Sequence, residues 1–144
     1  MLKRIIYVNL LIIATTSLQV IWASPDGLSV VDLSSSPIDY IEWLCLWPML
    51  VITALLFVLK RLSIRNTCQI ITVSLLMTGY WILINYAEFK DRVAGWSTFS
   101  SAEVWYYVFV TTALSLVISL LIFSVMLYMI INRLGNENSI HKLN

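Results

Sequence analysis

Four long apolar runs decide what this chain can fold into. They cover residues 5–22, 43–59, 68–86 and 104–131. Each holds about 17–28 residues, enough to cross a hydrocarbon core of roughly 30 Å at about 1.5 Å per residue. No water reaches a backbone N–H or C=O inside lipid, so each run must pair these groups within itself, as a helix does. The alternating pattern of a membrane barrel strand is absent. Hydrophobic residues make up 60% of the 144-residue chain and charged residues 12%, about half the usual globular share. A water-soluble domain of this length could not hide that much apolar surface. The expected fold is a single all-α domain, a four-helix transmembrane bundle in a lipid bilayer.

The charges then sort by side. With the N-terminus in the cytoplasm, Lys3, Arg4, Lys60, Arg61, Arg65, Arg133 and Lys142 fall inside, while Asp26, Asp32, Asp39, Glu42, Glu88, Asp91 and Glu103 fall outside. Lys90, Arg92 and Glu137 break the pattern. Orientation follows the Lys/Arg bias of short loops, so both termini are expected in the cytoplasm. Residues 23–42 and 87–103 become outer loops, 60–67 a cytoplasmic loop, and 132–144 a cytoplasmic tail. Lys3-Arg4 before an apolar stretch resembles a signal peptide, but the stretch is longer than a typical signal core and Ile21-Trp22-Ala23 makes a poor cleavage site, with a Trp beside the cleavage point. The first span is expected to stay.

Punctuation agrees with this division. Ser24-Pro25-Asp26-Gly27 reads as a turn. Ser36 is a good N-cap before Pro37, with Asp39 in the first turn, so the second helix is expected to begin near Pro37. Pro48 lies inside that helix and should bend it. Ser100-Ser101-Ala102-Glu103 has the form of a capping box and opens a fourth helix longer than a bilayer needs. The polar residues after Arg133 are expected to fray.

Catalytic apparatus is not visible. No Asp, Glu, Lys, Arg or His falls in the middle of a span, where pumps and ion-coupled carriers keep such groups. His141 stands alone in the tail. Cys45 and Cys68 fall at opposite membrane faces, too far apart for a disulfide, and both are expected to be small buried apolar residues. Four glycines form no phosphate loop, and the outer carboxylates match no calcium loop. No enzyme activity, metal, cofactor or nucleic-acid partner is expected. The net charge of +1 names no partner, and the sequence does not fix the oligomeric state.

Two features remain for contact. Asn9, Thr15, Thr16, Ser17 and Gln19 give the first span a polar side, and Thr111, Ser115 and Ser119 recur every four residues in the fourth. Such small hydroxyl stripes let helices approach closely, either within the bundle or against another protein's helix. All six tryptophans, Trp22, Trp43, Trp47, Trp81, Trp96 and Trp105, fall in the outer half. Indole rings prefer the headgroup boundary. They read as an anchoring belt, or as an outer aromatic face on which a partner docks.

The layout resembles that of the immunity proteins for colicin A-type pore-forming toxins. Pro48 in the second span, the basic turn Lys60-Arg61-Leu62-Ser63-Ile64-Arg65, and Asn85-Tyr86-Ala87-Glu88-Phe89 before Ala94-Gly95 carry the resemblance. Phe follows the Glu here, where the family has it before. The resemblance implies a multi-pass protein of the bacterial inner membrane that binds the toxin's hydrophobic hairpin, helix to helix. Thr111, Ser115 and Ser119 would be helix contacts, and Glu88, Phe89, Trp43, Trp47 and Trp105 outer-face contacts. The competing expectation is an accessory subunit of a larger membrane complex or transporter.

Overall fold

The computed structural model describes residues 2–23, 36–93 and 100–140, and all its elements are helices. They are α1 (Leu2–Ala23), α2 (Pro37–Arg61), α3 (Asn66–Val93) and α4 (Ser101–Ile140). All four are long and apolar enough to cross a membrane. Asp26, Asp32, Ala94, Gly95, Trp96 and His141 lie outside the described residues.

Caps set three of the helix ends. Ser36 accepts from the Asp39 amide at 3.2 Å, and the Asp39 carboxylate accepts from the Ser36 amide at 3.2 Å. This reciprocal box starts α2, with Pro37 in the first turn where it needs no N–H. Ser100 and Glu103 do the same for α4, at 2.7 Å and 3.4 Å. The C-terminus of α2 closes by two crossed bonds, Ser63 N–H to Lys60 O at 3.0 Å and Ile64 N–H to Leu59 O at 3.0 Å. This is a Schellman turn. Ser63 takes the left-handed position at φ 55°, where glycine would be at ease.

Two expected boundaries are corrected. Helix α3 runs on to Val93, so residues 87–93 of the expected outer loop are helical. Helix α4 continues to Ile140, through the segment expected to fray. No proline interrupts either extension, and a single glycine such as Gly135 costs a helix only about 1 kcal/mol against alanine.

The helices form a ring in chain order. Helix α4 lies along α1 and α3, α2 packs on α1 and more lightly on α3, and α1 and α3 also touch across the ring. No contact joins α2 to α4 among the described residues. The core is built from Ile12, Val20, Ile52, Leu56, Val73, Met77, Trp81, Phe123, Leu127 and Ile131. Cross-helix bonds fix the levels. Arg4 bonds Gln69 and Asn66 bonds Asn132, so the starts of α1 and α3 and the end of the α4 span share one end, here the basic end. Tyr86 stacks on Trp105 at the other, the aromatic end.

Candidate functional site

Many polar side chains of the spans are turned inward. Thr15, Thr16 and Gln19 are buried on α1, Asn85 and Glu88 on α3, and Thr112, Ser115 and Ser119 on α4. Hydroxyls satisfy themselves on the preceding turn: Thr15 donates to Leu11 O at 2.7 Å, Thr112 to Val108 O at 2.8 Å and Ser115 to Thr112 O at 2.9 Å. Others tie helices together. Trp81 donates its indole N–H to Thr16 Oγ1 at 3.1 Å, and the Ser74 and Ser124 hydroxyls pair at 3.1 Å. Near the basic half, Thr53 donates to Asn9 Oδ1 at 3.2 Å. The Gln19 amide and the Ser119 hydroxyl are buried with no hydrogen-bond partner.

The expected stripe is thus shifted by one residue. Thr111 is exposed, while Thr112, Ser115 and Ser119 share the buried face. Four-residue steps turn about 40° away from a straight line on a helix, so a strict repeat of four leaves the face that Thr112 joins. Ser115 and Ser119 face the interior of their own bundle. A partner helix could meet Thr111 on the outside of α4, but not those two serines without prising the bundle open.

At the aromatic end the expected contact residues divide into two sets. Glu88 is 4% exposed, and its carboxylate accepts the Tyr40 hydroxyl at 2.5 Å. It holds α2 to α3. Phe89 is half-buried beside it in sequence. Trp43 and Trp47, one turn apart on α2, are 57% and 56% exposed. Trp105 is partly exposed and lies between Tyr86, at a centroid distance of 4.5 Å, and Phe109, at 5.9 Å. Tyr106 next to it is exposed. The outward aromatic surface is therefore Trp43, Trp47, Trp105 and Tyr106, with Glu88 underneath as a positioning residue.

Two residues depart from the expected roles. Trp81 belongs to no anchoring belt: it is 0% exposed and meets Phe123 edge-on at 5.9 Å. Cys68 is exposed, whereas Cys45 is buried. Its place in the first turn of α3, level with the basic turn, puts it outside the packed core.

One tie joins two residues that no single motif connects. Pro48 has no N–H, so the carbonyl four residues earlier, Leu44 O, loses its helix donor. Tyr80 of α3 supplies one, donating its hydroxyl to Leu44 O at 2.6 Å. Broken helices in membranes persist where a neighbour satisfies the freed backbone group. The pair Pro48 and Tyr80 was the available signal.

Among the described residues no group of three His, Cys, Asp or Glu could hold a metal. Comparisons with family models, with curated proteins and with solved structures return no match.

Proposed function

We propose that this chain is a multi-pass protein of the bacterial inner membrane, with both termini in the cytoplasm. It acts without catalysis and protects its host from a pore-forming toxin by binding the toxin's membrane-inserted hairpin. The observation that supports this reading is the division of side chains within the spans. Thr15, Thr16, Gln19, Thr112, Ser115 and Ser119 are turned into the bundle, while Trp43 and Trp47 point outward one turn apart on α2, a helix that meets only α1 and α3 among the described residues. Trp105 and Tyr106 extend the same aromatic end. Large, stiff aromatic side chains are the usual anchors of contact surfaces. Phe89 flanks this face, and Thr111 lies on the outer side of α4.

The test is survival of cells expressing the chain under a panel of pore-forming colicins. Protection against one toxin is expected, and it should be lost in Trp43→Ala/Trp47→Ala while the variant remains in the membrane. Loss confined to Thr111→Leu would move the contact to α4. No protection by a chain shown to be in the membrane would contradict the reading. An accessory subunit would then be the better account, seen as co-purification with a larger membrane partner.

A further inference from the structure

We propose that the basic end holds a phosphate group, presented by an anionic phospholipid of the leaflet that meets it, with Arg4 as the binding fork. The inference rests on the four helices crossing a membrane and is independent of toxin immunity. Lys3, Lys60, Arg61, Arg65 and Arg133 are exposed at this end, and Arg4 alone among the described basic residues there is partly buried. Cations that serve only to orient a chain need no such placement, since the loop bias acts through charge near the span ends.

The surroundings of Arg4 supply an incomplete set of acceptors. One terminal nitrogen donates to Gln69 Oε1 at 2.6 Å, and the buried Nε has no hydrogen-bond partner. Gln69 is 3% exposed, and its Nε2 donates to Ile64 O in the turn at 2.6 Å. That second bond fixes the amide, so its oxygen must face the guanidinium. Gln69 is a positioning residue: it aims Arg4 and leaves its charge unanswered. The described carboxylates Asp39, Glu42, Glu88 and Glu103 all belong to the opposite end of the bundle. Glu137, in the last turns of α4, has a side chain outside the described set.

A guanidinium stays charged and offers five N–H donors in a planar fork. Withdrawing it from water without an anion is costly. Phosphate matches that fork with two parallel bonds, and anionic headgroups are abundant where basic ends meet a membrane. Lys3 precedes Arg4 directly. Arg65 lies one turn before Gln69, whose amide N–H donates to Arg65 O at 3.1 Å, so the same flank of α3 adds a second cation.

Thermal unfolding of the purified full chain in detergent tests the site. Micelles doped with phosphatidylglycerol should raise Tm, and phosphatidylcholine should not. In Arg4→Lys, which keeps the charge and loses the fork, half-saturation should need about tenfold more phosphatidylglycerol. Arg61→Gln should leave it unchanged. Inorganic phosphate alone should give no shift; an equal shift would support the same site with free phosphate as its ligand. Equal effects of the two lipids, or an Arg61→Gln loss as large as that of Arg4→Lys, would overturn the proposal. If Arg4→Lys does not purify folded, native mass spectrometry of the unmodified chain decides. Phosphatidylglycerol retained under conditions that strip phosphatidylcholine supports the site, and equal stripping overturns it.

Discussion

The two ends of this bundle handle charge in opposite ways. At the aromatic end three carboxylates are answered from within the chain. Asp39 and Glu103 close capping boxes on backbone amides, and Glu88 accepts from Tyr40. At the basic end the described cations have no such answer, and Arg4 settles for a neutral amide. The asymmetry is what the proposed topology would produce. Lys/Arg bias gathers cations at one end of an oriented chain, and no described carboxylate meets them there. Acids here are satisfied by helix N-termini and hydroxyls beside them, while the proposed partner of Arg4 is an anion from outside the protein.

The tryptophans divide between the core and the aromatic end. Trp81→Ala removes a fully buried ring that touches Phe123 and leaves Thr16 without its donor. A loss of about 3–5 kcal/mol is expected, read by denaturant titration in detergent. Trp43→Ala and Trp47→Ala should each change stability by less than about 0.5 kcal/mol, because those rings face outward. A comparable loss in all three would erase the distinction between core and contact face.

The second test concerns the tie near the aromatic end. Tyr80→Phe should cost about 1–3 kcal/mol, the penalty for an unpaired buried acceptor, since Leu44 O loses its donor. In a Pro48→Ala background the same change should cost much less, because residue 48 then donates to that carbonyl itself. Equal costs in both backgrounds, measured as a double-mutant cycle, would break the link between the proline and the tyrosine.

A stabilising change is expected at the basic end. Ser63→Gly should stabilise the chain by about 1 kcal/mol, because a non-glycine residue in the left-handed region carries roughly that strain and Ser63 sits there at φ 55°. A destabilisation would show that the serine hydroxyl matters more to the turn than its backbone does.

Much of this architecture is legible in the sequence. Length and apolarity locate the four helices, and Ser36 and Ser100 mark two starts because a hydroxyl three residues before an acid satisfies amides that no helix can. The far ends of α3 and α4 are less legible, since hydropathy stops at the membrane boundary while backbone pairing does not. Side-chain direction is hardest. One residue of drift separates buried Thr112 from exposed Thr111. Trp81 looks like its five counterparts until α1 and α4 close around it. The buried polar face of α1 was readable as a polar side, but only its neighbours show that it faces inward. Arg4 could not be told from Lys3 by sequence, because its distinction is a bond to Gln69 across the ring.

The most direct test of the account is the side of the membrane on which each end lies. A paired reporter, active as alkaline phosphatase only in the periplasm and as a fluorescent protein only in the cytoplasm, would be fused after Asn144 and, separately, after Gly27. The account predicts fluorescence from the first fusion and phosphatase activity from the second. Phosphatase activity from the fusion after Asn144 would contradict it, placing the basic end outside.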